Sequence, residues 1–259
     1  MMHSIITESI IVLFVYFFLF FLVGTLIKNN SIVDMGWGIG FVILAWFTTL
    51  RSGNLGGANL LITILISIWG VRLFYHIMKR NLGKEEDFRY AKWREEWGKW
   101  VVLRAFFQVY MLQGVFMFIV ALPVILINTR DTPGGISLFA LTGLGIWIIG
   151  FFFESVGDYQ LKKFKENPKN KGKIMSSGLW KYTRHPNYFG EATMWWGLAI
   201  ISVSAGGSPA VFVSPIVITY LLLFVSGVPM LEKSFDKRPG YQEYKEVTPK
   251  FFPWFPKKK

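Results

Sequence analysis

Long apolar blocks separated by short polar stretches set the plan of this chain. A helix needs about 20 mostly apolar residues to cross the hydrocarbon of a bilayer. Seven blocks meet that requirement, at roughly 5–27, 31–50, 59–78, 106–127, 136–157, 188–205 and 209–230. Little sequence is left outside them. The pattern predicts an all-α, polytopic membrane protein: one integral-membrane domain over 1–259, built as a seven-transmembrane-helix bundle.

Composition agrees and adds an orientation. The chain has 259 residues, 53% of them hydrophobic and 18% aromatic, with a mean hydropathy of +0.40. Lys and Arg gather in 79–104, in 162–184 and in the tail from Lys233 to Lys259, whereas the alternate loops hold only Arg51 and Arg130. With seven spans the three basic segments share one side, and the excess of positive charge makes that side the cytoplasm. The N-terminus is then expected outside and the C-terminus inside. The net charge of +12 becomes a topology signal with attraction to anionic membrane lipids, not a footprint for nucleic acid.

Several chemistries are excluded by what is missing. The chain has no cysteine, so thiol catalysis and disulfides fall away. His3, His76 and His185 stand too far apart to suggest a metal site, and none is expected. "MMHSIITES" lacks the basic start of a cleavable signal, so the first span is expected to be retained. The glycines of "GWGIG" lie inside an apolar span, where they predict close helix packing instead of a nucleotide loop.

Ionisable side chains inside a membrane are costly and point to function. Asp34 opens the second span; Arg72 and His76 close the third. Glu154 and Asp158 end the fifth, Asn187 and Glu191 open the sixth, and Glu232 closes the seventh. In the expected topology all of these ends face the cytosol, which predicts a one-sided polar pocket. Arg72 and His76 also have a simpler reading as headgroup-level side chains. Asp34 and Arg72 can form a purely structural ion pair.

The densest polar stretch is "GLWKYTRHPNYFGE", residues 178–191. Pro186 keeps His185 out of the helical region, so a helix is expected to begin near Asn187. Arg184, His185 and the first backbone N–H groups would meet an anion there. Asn187 and Glu191 are four apart and share a face. An amide and a carboxylate so spaced can hold a carboxamide, a ribose or an amine.

That stretch, with "ESVGDYQLKKF" before it, resembles the C-terminal domain of the steroid 5-alpha-reductase family. With "SIVDMGWGIGF", "WGVRLFYHIMKR" and "LEKSFDKRPGYQEYKEVTPKFFPWFP", the whole chain is similar to that family's bacterial branch of uncharacterised membrane proteins. The resemblance implies a seven-helix bundle that binds NADPH from the cytosol, through a C-terminal part at about 151–259. It implies reduction of a carbon–carbon double bond conjugated to a ketone, as in 3-oxo-4-ene steroids. Carried over by motif, Asp158, Asn187 and Glu191 line the cofactor site, and Tyr182 matches the aromatic position before them. Lys162, Arg184 and His185 are expected near the phosphates, with Tyr188, Glu232, Tyr241 and Tyr244 completing the cofactor set. Asp34 stands where the steroid enzymes carry a Gln-Glu pair facing the substrate ketone, although Val33 replaces the glutamine. Trp69 and Tyr75 lie near the family's substrate tyrosine.

In that reading a protonated Asp34, helped by Tyr75 or Trp69, stabilises the enolate oxygen that develops as hydride reaches the β-carbon. The partner is a hydrophobic small molecule arriving from the lipid phase. The alternative is an S-adenosylmethionine-dependent membrane methyltransferase of the isoprenylcysteine and phospholipid type. Those enzymes carry a similar "RHPxYxG" and a late glutamate, here Glu232.

Overall fold

The computed structural model describes residues 2–129 and 135–257; Arg130 and the last two lysines of the basic tail, Lys258 and Lys259, lie outside that range. The described residues are all-helical and contain no strand. Among them six helices are long and apolar enough to cross a membrane: His3–Leu26, Ile32–Ser52, Gly57–Asn81, Phe88–Val120, Leu138–Glu166 and Pro209–Phe235. Many of their large apolar side chains face away from the protein. On the first helix, Ile11, Phe14, Leu19 and Val23 are each about half exposed. A helix that is apolar on its outward face belongs in lipid. The protein is an integral, multi-pass membrane protein.

The first five α-helices are α1 (Met2–Leu26), α2 (Ile32–Ser52), α3 (Gly57–Asn81), α4 (Phe88–Trp97) and α5 (Val101–Ala105). Then follow α6 (Leu112–Val120), α7 (Leu122–Ile127), α8 (Leu138–Glu166), α9 (Pro186–Ser204), α10 (Val213–Tyr220), α11 (Val228–Phe235) and α12 (Tyr241–Val247). The chain divides into two compact units. The first comprises residues 1–137 with 202–211, and the second 138–201 with 212–259.

In the first unit α2 and α3 pack with their backbones in close approach. A methyl group at Gly38 would collide with the carbonyl of Gly70, and one at Gly70 with the carbonyl of Gly38. This is the close packing expected for "GWGIG". The helix that carries most of the expected fourth span, 106–127, begins well before it. It starts at Phe88, upstream of the apolar block, and runs through a 3-10 turn (Gly98–Trp100) and a π-helical segment (Phe106–Met111) into α6. It ends at Val120, because Pro123 opens a separate helix, α7, and has no N–H to continue the old one.

In the second unit α8 and α9 repeat the small-residue packing: a methyl group at Gly150 would run into the carbonyl of Gly190. The expected sixth span is a helix, α9, of 19 residues, but it is not among the six that pass on length and apolarity. Asn187, Glu191 and several small residues dilute it. The last span is interrupted as well. A π-helical turn (Leu221–Val225) leads to Ser226 and Gly227, and α11 begins at Val228 with Pro229 in its first turn.

Candidate functional site

The first unit holds one polar cluster around Asp34. Asp34 sits in the first turn of α2, where the helix dipole favours negative charge. Its Oδ2 accepts from Arg89 Nη2 at 2.9 Å and its Oδ1 accepts from the Tyr90 hydroxyl at 2.6 Å. Arg89 also donates from Nε to Asp87 Oδ1 at 2.8 Å. Asp87 caps α4 by accepting from the Arg89 amide at 3.0 Å, and so fixes where Arg89 and Tyr90 point.

A second set of bonds holds that cap against the α1–α2 turn. Glu86 accepts from the Asn30 amide at 2.6 Å and is forked by Arg94, with both distances 2.9 Å. The Tyr110 hydroxyl, buried in the π-helical segment, donates to Asn30 Oδ1 at 3.1 Å. Both Asp34 oxygens thus accept, one from a guanidinium and one from a phenol.

Trp69 and Tyr75 both lie on α3. Trp69 is buried and packs edge-on against Phe41 with ring centroids 5.5 Å apart. Phe41 lies seven residues beyond Asp34 on α2, roughly two turns deeper. Tyr75 is 57% exposed on α3 and its hydroxyl has Lys79 Nζ at 3.5 Å. The hydroxyl on Asp34 is that of Tyr90, which sequence reasoning missed. Its signal was "EDFRY": a helix-capping Asp with an Arg two residues on and a Tyr three residues on.

The second unit holds the residues of the 178–191 motif. Asn187, in the first turn of α9, donates from Nδ2 to Asp158 Oδ1 on α8 at 3.1 Å. Its Oδ1 is buried and receives no hydrogen bond. His185 Nε2 lies 3.1 Å from Glu232 Oε1. Because that carboxylate only accepts, Nε2 carries the proton and Nδ1 is an acceptor. Nδ1 too is buried and unbonded. Burial pushes the His185 imidazole below its usual 6.5, with Glu232 pulling the other way, so the ring is neutral near pH 7. The ring of Tyr188 stacks on it at 5.6 Å. Glu191 follows one turn along α9. The motif therefore presents acceptors, and a bound molecule there must bring donors: an amide N–H₂, hydroxyls or an ammonium.

Arg184 does something different. Its side chain is 6% exposed; Nε donates to Glu232 Oε1 at 2.9 Å, and Nη1 donates to the carbonyls of Lys245 and Thr248 at 2.9 and 2.8 Å. Its amide donates to the Pro249 carbonyl at 2.9 Å. Thr183 Oγ1 donates to the Phe251 carbonyl, and the Trp254 amide donates to the carbonyl of Tyr182. Together these bonds strap residues 245–254 onto the motif.

Tyr244 is buried and donates to the Trp180 carbonyl at 2.5 Å. Burial raises the Tyr241 phenol to about 12 and pushes Tyr244 up further. Tyr182 is at the surface, edge-on to Phe255 at 5.9 Å. Lys162 is exposed and faces Glu166 at 3.8 Å.

Comparison with known proteins places this arrangement. A family described as "Protein of unknown function (DUF1295)" matches residues 20–248. The chain belongs to that family. The DUF1295 family is part of the steroid 5-alpha-reductase-like superfamily. An uncharacterized protein of Schizosaccharomyces pombe is 23% identical over 87% of this chain and 73% of its own length. A 3-oxo-5-alpha-steroid 4-dehydrogenase 1 of Bos taurus is 30% identical over 41% of this chain and 40% of its own length. A probable O-methyltransferase of Ustilaginoidea virens is 35% identical over 40% of this chain and 35% of its own length. The chain thus spans well under half the length of these last two relatives. No solved structure matches.

Proposed function

We propose that this member of the DUF1295 family is a membrane-embedded reductase that uses NADPH to saturate the double bond of a hydrophobic enone, a 3-oxo-4-ene steroid or a similar lipid. The observation that carries the reading is the Asp158–Asn187 pair, in which the buried Asn187 Oδ1 is left unspent. A buried acceptor without a partner costs free energy, and a nicotinamide carboxamide has the N–H₂ to satisfy it. Glu191 and His185 Nδ1 are placed to take ribose hydroxyls. These residues fit the cofactor. Similarity to the steroid dehydrogenases supports the same chemistry.

NADPH, when bound, supplies the hydride for the β-carbon of the enone. As that carbon is reduced, negative charge collects on the substrate's carbonyl oxygen. The Tyr90 O–H, turned from Asp34 toward that oxygen, stabilises it, while Arg89 keeps the Asp34 charge balanced. Asp34 is then a positioning residue for Tyr90 as well as the local anion, and the α-carbon takes its proton from this pair or from water.

A second reading has its own support. Glu232, clasped by Arg184 and His185, and the similarity to the probable O-methyltransferase suit S-adenosylmethionine, whose ammonium and ribose are also donors. Titrating the detergent-solubilised protein with each cofactor separates the two, because a ligand selective for the folded state raises its melting temperature. We expect a rise with NADPH. A rise with S-adenosylmethionine and none with NADPH would replace the reductase by the methyltransferase.

We further propose that α9 is the remaining span, giving seven, with the N-terminus outside and the active site facing the cytosol. The natural chain has no cysteine, so single cysteines report side cleanly. Asn54→Cys and Ser208→Cys are expected to react with an impermeant thiol reagent from outside, and Lys169→Cys only after the membrane is opened. Outside labelling at position 169 would overturn this orientation.

A further inference from the structure

We propose that residues 251–257 form a membrane-surface anchor. The rings of Phe252, Trp254 and Phe255 enter the headgroup boundary of the leaflet at the Asp158 end of α8, and the lysines around them meet anionic phospholipid. The three rings are 71%, 72% and 71% exposed, yet the segment that carries them is pinned. The Trp254 amide donates to the Tyr182 carbonyl and the Lys257 amide to the Val247 carbonyl, both at 2.9 Å. Phe251, between them and α12, is buried and packs on Phe189 of α9 at 5.9 Å. Pro253 and Pro256 lack the N–H that a helix would need, and the segment stays irregular. Three large rings held out from a fixed backbone make an apolar surface that wants a cover.

Their surroundings say what covers them. Phe152, on the membrane-crossing α8 and within two turns of Asp158, is 51% exposed and faces lipid. Its ring meets Phe153 at 5.8 Å, Phe153 meets Phe189 at 5.1 Å, and Phe189 meets Phe252 at 6.1 Å. A row of aromatic contacts thus runs from the lipid face of α8 to the segment without a break. Tyr182, Phe255 and Trp254 continue it, with ring centroids 5.9 and 6.3 Å apart. Aromatic side chains collect at this boundary because one part of each ring system is apolar and the boundary is wet.

The charge selects the lipid. Lys181, Lys250 and Lys257 are exposed, and from Val247 onward the sequence has no Asp or Glu and adds Lys258 and Lys259. Lysines beside exposed rings suit an anionic leaflet: the stems lie along apolar surface while the ammonium groups reach phosphate. A second copy of this chain would bring the same positive charge to the contact, which disfavours pairing through this patch. The anchor also has a consequence for the neighbouring motif. Tyr182, Thr183 and Arg184 all bond to 247–254 or its flank, so a leaflet that holds the segment steadies the start of α9. This holds whichever cofactor the motif takes.

The test is the immersion of nitroxide labels, read by electron paramagnetic resonance as collision with oxygen, which favours lipid, against a water-soluble nickel chelate. The natural chain has no cysteine, so Phe252→Cys and Phe255→Cys each carry one label. Phe152→Cys supplies the lipid reference and the exposed Lys169→Cys the water reference. Both test positions are largely exposed, so unchanged melting temperatures are expected. In phosphatidylcholine nanodiscs containing phosphatidylglycerol, both labels are expected to favour oxygen, as at position 152. Omitting phosphatidylglycerol, or adding Lys250→Gln with Lys257→Gln, is expected to shift both toward the nickel chelate. Labels that behave as at position 169 would place the segment in water and overturn the anchor. Labels shielded from both reagents, with spin–spin broadening in discs that hold two copies, would replace lipid by a second copy. Immersion indifferent both to phosphatidylglycerol and to the two lysines would overturn the choice of anionic lipid.

Discussion

Arg184→Ala is expected to destabilise the protein by about 3–5 kcal/mol, the usual cost of removing one partner from a buried ion pair. Arg184 is enclosed, and its bonds reach two separate pieces of chain: Glu232 on α11, and the stretch 245–249, where the side chain donates to Lys245 and Thr248 and the amide to Pro249. Truncation takes the guanidinium from the Glu232 carboxylate and strips the carbonyls of Lys245 and Thr248 of this donor. Folded proteins are stable by only about 5–15 kcal/mol in total, so the loss is a large fraction of what holds the fold. The C-terminal strap should loosen first, because residues 245–249 lose the side chain that gathers them.

Two measurements check this: the melting temperature in detergent without ligand, and the rate of limited proteolysis within 245–257 read by mass spectrometry. Arg184→Lys keeps the charge but not the planar fork, and should fall between. The sequence-based expectation, that Arg184 contacts the cofactor's phosphates, makes the opposite forecast. It has the alanine variant melting normally and losing only NADPH affinity. A normal melting temperature with an uncut tail would restore that expectation and remove the strap.

The fate of Arg184 shows where the sequence could be read and where it could not. An arginine beside a polar motif looks the same in sequence whether it faces a ligand or a set of backbone carbonyls. The carbonyls of Lys245 and Thr248 leave no residue-type signal. Asp158 and Asn187 were legible because each side chain is short, polar and expensive at the end of an apolar helix, and they do pair. The spans at α1, α2, α3 and α8 were legible for the converse reason: long uninterrupted apolar runs have few other uses. The helical stretch ahead of the fourth apolar block was not legible, because Arg89, Lys92, Arg94, Lys99 and Arg104 give it the look of a loop. Tyr90 was missed for the same reason. It lies 56 residues from Asp34, in a stretch whose basic residues resemble a loop, and nothing in the spacing ties it to α2.

Tyr90→Phe and Asp34→Asn are expected to slow turnover about a hundredfold to a thousandfold, the usual effect of losing one donor aimed at charge that develops in the transition state. NADPH affinity should stay within a few-fold of wild type for both, because neither residue belongs to the Asp158–Asn187 cluster. Asn187→Ala and Glu191→Gln should behave in the reverse way, weakening the cofactor first. Tyr90→Phe is the cleaner probe. It keeps the ring that packs edge-on against Trp93 at 5.5 Å and removes only the hydroxyl, so its stability loss should be near 0.5–1.5 kcal/mol. Asp34→Asn leaves Arg89 its bond to Asp87 but weakens the acceptor that orients the Tyr90 hydroxyl. If Asp34 acts by positioning Tyr90, the double variant should be barely slower than Tyr90→Phe alone, since residues acting as one unit do not add. The competing account is structural: Asp34, Arg89 and Tyr90 merely tie α2 to α4. It forecasts lower melting temperatures with single-turnover NADPH oxidation preserved in whatever fraction stays folded. Single-turnover rates with a hydrophobic enone, taken together with melting temperature and NADPH affinity for all the variants, decide the matter. Full turnover in Tyr90→Phe would end its role as the donor to the substrate oxygen.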